Sequence, residues 1–301
     1  MNAGSNTLTM LTIDPADPTC VTVVGQPVTL PGEFPNTVAA STKNKLACVG
    51  MTGAKAGVSC ASFSAKGLGK MDALRTFELG QTTPPKGPLN TVSHSFFSND
   101  ESTLFTTVKG NPMVNNTGFL SSFKVDKSRG RMAMLSTTGI RSSPMGTAVL
   151  FGSAPIPHMP NMLFVTDASF GGAVLSIDQM SQATVKGKQA IEGQRATCWA
   201  TISKETKSAY VTDVAVNRMV EMSLEDASII AQLDLSANGD RGLIDLRSAG
   251  SFVYALSPGN ATTKAAITVL DVSGGQGSMK QAQHFSLDGI AGSTAMGMAV
   301  L

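Results

Sequence analysis

Phe164-Val165-Thr166-Asp167, a polar turn, and then Ala173-Val174-Leu175-Ser176-Ile177-Asp178 is the stretch on which the fold turns. Two short runs rich in apolar and β-branched residues, each closing on an aspartate that suits a turn, read as adjacent antiparallel strands. The phrase returns as Tyr210-Val211-Thr212-Asp213 and again as Phe252-Val253-Tyr254; Val165 to Val211 is 46 residues and Val211 to Val253 is 42. Cys48-Val49 and Phe105-Thr106 hold the same place upstream, and Met1-Asn2-Ala3-Gly4 reads as the stump of a still earlier copy. A further strand precedes each pair, at 38–41, 93–98, 197–203 and 243–248, joined to it by a short turn. A period of roughly 40–50 residues with four strands per unit predicts the blades of an all-β propeller.

This spacing yields five complete blades, two outer strands at the N-terminus and a lone inner strand at 296–301, in one domain over 1–301. Met1 reads as an internal methionine, so the chain is expected to be shortened at its N-terminus. Gly274-Gly275, Pro84-Pro85 and the segment 155–160 read as loops within the domain.

Composition narrows the function classes. The 301 residues carry a net charge of +2 and only 15% charged residues. That balance leaves no basic footprint for nucleic acid, and no apolar run reaches the roughly 18–20 residues of a membrane span. Abundant Ser, Thr, Gly and Ala suit a secreted β protein. Asn115-Asn116-Thr117 and Asn260-Ala261-Thr262 are glycosylation sequons in loops, to be used if the protein is secreted. Cys48 and Cys60 flank a turn-rich segment and would face each other across a hairpin, as a disulfide or as two packed thiols.

The segments Asn2-Ala3-Gly4-Ser5-Asn6-Thr7, Gly32-Glu33-Phe34-Pro35, Gln81-Thr82-Thr83-Pro84-Pro85, Thr107-Val108-Lys109-Gly110, Ala196-Thr197-Cys198-Trp199 and Tyr210-Val211-Thr212-Asp213 together carry a resemblance. Over essentially its whole length the chain is similar to the secreted fungal propellers described as carboxymuconate cyclase-like, relatives of the lactonase-type seven-bladed propellers. The resemblance implies a signal peptide and about five further strands ahead of Met1, three of which complete the blade of the last strand.

The chemistry-bearing residues are few. Three histidines, His94, His158 and His284, show no paired spacing and no Cys/His cluster, so no zinc site and no cofactor is expected. Gly67-Leu68-Gly69-Lys70 lacks the spacing of a phosphate loop, and no nucleophile elbow occurs. His94 lies in an inner strand within 91–100, which is similar to the histidine-bearing inner strand of lactonase-type propellers and is thereby implied in acid–base work. The other reading is a structural histidine bonded to a carbonyl. Glu33 is a second acid–base candidate, or a solvated loop glutamate. Arg141 and Arg241 are each expected just ahead of an inner strand, as clamps for a substrate carboxylate or as surface ion pairs. Trp199 and Cys198 share an inner strand with side chains on opposite sides, so one lines the channel while the other packs between blades.

The function expected from this set is a secreted, monomeric, metal-independent isomerase/cyclase or lactonase acting on a small carboxylated or lactone compound. The alternative is a non-catalytic extracellular glycoprotein that binds a ligand or surface.

Overall fold

The computed structural model describes residues 1–127, 132–260 and 262–300. The chain divides into two compact units, Met1–Ser143 and Pro144–Leu301.

In the first unit Thr7–Ile13 and Val21–Thr29 form a two-stranded ribbon. A second sheet takes Pro35–Ser41, Leu46–Met51 and Gly57–Ser64, with the short strands Gly67–Leu68 and Arg75–Thr76 sharing its outer edge. A third takes Val92–Phe97, Thr103–Val108 and Phe119–Asp126, edged by Met134–Leu135 and Ile140–Ser142. The second unit is three four-stranded antiparallel meanders. Their strands are Leu150–Pro155, Met162–Asp167, Gly171–Ile177 and Ala183–Ala190; Thr197–Ser203, Ser208–Asp213, Arg218–Ser223 and Ile229–Asp234; and Asp245–Ala249, Phe252–Ser257, Ala266–Asp271 and Lys280–Ser286. These are the blades of a β-propeller, each opening on its inner strand.

Within each unit the first strand of a sheet packs on the first strand of the next. Glycine makes this approach possible at Gly152, where a Cβ would lie 2.6 Å from the Cys198 carbonyl oxygen on the neighbouring inner strand. The opening motif supplies the remaining ties. Thr166 Oγ1 donates to the Cys198 carbonyl of the next blade. The Asp167 carboxylate accepts from the Ala148 and Val149 N–H groups at 2.7 and 3.1 Å, anchoring the approach to its own blade's inner strand. Asp213 repeats the device on the Arg195 and Ala196 N–H groups at 2.7 and 3.2 Å. Both aspartates are buried, and both satisfy loop donors that no ladder reaches. So Thr166 ties its blade to the next, while Asp167 and Asp213 each pin the segment that enters their own blade's inner strand.

Apolar residues of the facing sheets fill the space between them. Leu46, Cys48, Val58, Val92, Leu104 and Phe123 form one such core in the first unit. Tyr210, Met219, Leu246, Val253 and Leu270 form one in the second. Cys48 stands directly opposite Cys60 in the ladder, and the two are joined as a disulfide.

The lone inner strand expected at 296–301 is not formed over residues 296–300, and residue 301 lies outside the described residues. A strand needs a neighbouring ladder; here the Met298 N–H goes to a side chain, Asp245 Oδ2, at 2.9 Å. No helix among the described residues is long and apolar enough to cross a membrane.

Candidate functional site

Four inner strands carry an irregularity near their start. The register slips between Pro35 and Thr37, between Val92 and His94, between Leu150 and Ser153, and between Thr197 and Ala200. A bulge leaves one residue outside the ladder and re-aims a side chain, and bulges gather beside functional sites for that reason.

In the second unit two of these bulges present Phe151 and Trp199. Their rings meet edge to face with centroids 5.4 Å apart. The next inner strand adds Arg247, whose guanidinium carbon lies 6.0 Å from the centre of the Trp199 ring. Arg247 Nη1 donates to Asp245 Oδ1 at 2.6 Å and to the Leu246 carbonyl at 2.7 Å. The Asp245 side chain is 2% exposed, while that of Arg247 is 35% exposed. Asp245 Oδ1 also accepts from the Leu246 N–H at 2.8 Å. Burial pushes the Asp245 carboxyl above its ordinary range, against the pull of Arg247 and of the Met298 and Leu246 N–H groups. Three consecutive inner strands thus line up an aromatic pair and a braced guanidinium. Such a group can hold a carboxylate or polarise an ester carbonyl beside a flat apolar wall.

The first unit holds His94 and Glu33. The half-buried His94 ring stacks on Phe96 at 5.2 Å and 29°, and Phe96 packs on Phe105 at 5.5 Å. Glu33 precedes the inner strand Pro35–Ser41; its Oε2 accepts from Thr83 Oγ1 at 2.6 Å and its Oε1 lies 3.9 Å from Lys55 Nζ.

Arg141 corrects its sequence reading. It lies on Ile140–Ser142, an outer-edge strand paired with Phe119–Asp126, and the next inner strand begins only at Leu150. Its exposed guanidinium sits over Phe119 and Phe77, at 4.7 and 5.2 Å, and donates to the Thr76 carbonyl at 3.2 Å. Two aromatic faces hold it in place as a packing residue. Arg241 is exposed in the loop ahead of Asp245–Ala249. Cys198 is buried and Trp199 half-buried, so of the pair it is the tryptophan that faces outward. Asn115 and Asn260 are exposed, and Asn260 Oδ1 already accepts from Thr262 Oγ1 at 2.9 Å.

Sequence reasoning missed Phe151, Asp245 and Arg247. A signal was available for two of them: Asp245 and Arg247 are the only formally charged residues in the first strands of the five meander sheets. Among the described residues no three His, Cys, Asp or Glu side chains gather as a metal site would require.

No family model matches the chain, and no curated protein sequence matches it. Solved structures do. The periplasmic gluconolactonase of Pseudomonas aeruginosa aligns with a TM-score of 0.65 at 13% identity, over 93% of this chain and 79% of that one. A candidate 6-phosphogluconolactonase from Bacteroides uniformis gives 0.64 at 15% identity, over 93% and 83%. A protein from Lactobacillus plantarum gives 0.66 at 11% identity, over 92% and 77%. At these identities the likeness is one of fold, and the fold is the β-propeller shared with lactonases.

Proposed function

We propose that this propeller binds a small carboxylated or lactone compound at Arg247 and the Trp199–Phe151 pair, and acts on it as an isomerase/cyclase or lactonase. The observation that carries this reading is the guanidinium of Arg247, half-exposed on an inner strand and braced by a buried carboxylate beside an aromatic wall. A cation held so costs little to reorganise when it meets an anion or a developing oxyanion. The gluconolactonase of Pseudomonas aeruginosa, similar in fold, has a lactone in its name. Opening or closing a lactone needs a carbonyl or carboxylate stabilised, and a guanidinium supplies that without a metal. In the first unit, and taken by itself, His94 is the proposed acid–base group and Glu33 the second.

The finer assignment is to the secreted, glycosylated fungal propellers of the carboxymuconate cyclase-like kind, acting as a monomer. It is supported by the buried Cys48–Cys60 bridge, which suits an oxidising compartment, and by the exposed sequons at Asn115 and Asn260.

The test is turnover of gluconolactone, of muconolactone and of cis,cis-muconate by the purified chain, followed as ring opening or closure. Arg247→Met is expected to lower kcat/KM by about a hundredfold, the scale of a lost charge-assisted contact. His94→Ala with unchanged turnover would remove His94 from the chemistry. Saturable binding that depends on Arg247 but gives no product would favour the non-catalytic extracellular binder.

A further inference from the structure

The second unit has a cleft of about 830 Å³ lined by strand ends and the turns beside them. Its wall residues come from the turn after Leu150–Pro155, from the ends of Thr197–Ser203 and Arg218–Ser223 with the turns that follow them, from Ile230 in Ile229–Asp234, and from Gln276 in the loop ahead of Lys280–Ser286. Trp199 and Ser203 are four residues apart on one strand, which places this end roughly 13 Å from the Arg247 site at about 3.3 Å per residue.

The bed of the cleft is apolar, made by Ile156, Ile202 and Leu224. Ile156 is 1% exposed, while Ile202 and Leu224 are half-buried and present apolar surface to the cleft. Lys204 and Lys207 stand exposed at its border, and among the described residues neither makes an ion pair. Glu225 is also at the border, so two ammonium groups face one carboxylate and the charge left over is one positive unit. Pockets for small organic ligands span about 300–1,000 Å³ and combine an apolar body with few polar groups, as here.

We propose that this cleft is a second binding site, for a monoanionic medium-chain carboxylate. The alkyl chain lies on Ile156, Ile202 and Leu224 and the head meets Lys204 and Lys207. Net charge favours a monoanion over a neutral amphiphile, and the apolar floor of Ile156, Ile202 and Leu224 favours an alkyl body over inorganic phosphate. The site is separate from the Arg247 subsite and does not depend on what that subsite does.

Calorimetric titration of the full chain with decanoate below its micelle concentration tests this. One-to-one saturable binding is expected, at least about tenfold weaker in the exposed-residue double variant Lys204→Gln/Lys207→Gln and several-fold weaker in high salt. Leu224→Asp should abolish it, with decanoate's failure to bind a still-folded variant checked by an unchanged melting curve. Arg247→Met should leave it unaltered. The proposal is overturned by no saturable binding, by decanol binding as tightly as decanoate, by affinity surviving the double lysine variant, or by loss in Arg247→Met.

Discussion

Two buried carboxyl groups of the second unit are satisfied in opposite ways. Asp245 is held against Arg247, whose own side chain is 35% exposed, so the pair points a cation outward. Glu221, which is 0% exposed, is closed in by neutral donors among the described residues. Ser208 Oγ donates to its Oε1 at 2.5 Å and the Gly277 N–H to its Oε2 at 2.9 Å. Behind Ser208 stand Thr206, at 2.6 Å, and the Tyr210 hydroxyl, which donates to Thr206 Oγ1 at 3.2 Å. Since Gly277 lies in the loop joining the last two strands of the last sheet and Glu221 in the sheet before it, that network ties two blades together. A fully satisfied polar network rigidifies a core, whereas a carboxylate beside a half-exposed guanidinium aims a charge. The difference separates a seam of the scaffold from a tool of the site, although both begin as an acidic residue in a strand.

Removing Glu221 should therefore be the costlier change. Glu221→Ala strands the Ser208 hydroxyl and the Gly277 N–H, each at about 1–3 kcal/mol, and leaves a cavity. A loss of about 3–5 kcal/mol is expected, read as a fall of roughly 10 °C in melting temperature at the 2–4 °C per kcal/mol typical of larger domains. A fall under about 2 °C would show that the two blades are joined by other contacts.

Asp245→Asn should cost less, about 1–2 kcal/mol, because one hydrogen-bonded partner of a half-exposed cation is weakened rather than an enclosed network opened. Its signature lies in pH. Burial raises the Asp245 carboxyl, so the folded state keeps a proton that an unfolded aspartate, near 3.9, has released. More protons on the folded state mean that stability declines as pH rises through the window above about 4. The parent protein should lose melting temperature across that window and Asp245→Asn should lose less. Equal slopes would show Arg247 holding the carboxyl ionised throughout.

Both residues sit in stretches that were open to reading, and they show where legibility stopped. Val211-Thr212-Asp213 announced the blade because β-branched residues and a turn aspartate are local signals, and the Cys48–Cys60 alignment followed from hairpin symmetry. Arg141 misled because a lone arginine before Ser-Ser-Pro carries no mark of sheet order; only pairing with Phe119–Asp126 puts it on an outer edge. Arg247 was passed over because its partner is two residues away in a strand, where alternation would set side chains on the same face whatever their role. The edge-to-face contact of Phe151 with Trp199 joins two blades, and no periodicity within one blade encodes it. Glu221 likewise looks like any solvated glutamate until Gly277, 56 residues on, closes over it.

The mildest change probes the inner end of the Glu221 network. Tyr210→Phe removes one neutral hydrogen bond, that to Thr206, and should cost about 1 kcal/mol near neutral pH. The hydroxyl is pushed up to about 12, first by burial and then by the charge of Glu221, with the bond to Thr206 opposing. An unfolded tyrosine releases its proton near pH 10, so between about 10 and 12 the folded state binds a proton that the unfolded state has lost. Stability then falls as pH rises, with a slope approaching about 1.4 kcal/mol per unit. The difference between parent and Tyr210→Phe isolates this hydroxyl. The variant should lose less with rising pH, and the two denaturation midpoints should converge as the solution becomes more alkaline. Parallel curves would mean that Tyr210 ionises without opening the seam, and that the seam is less closed than its buried atoms imply.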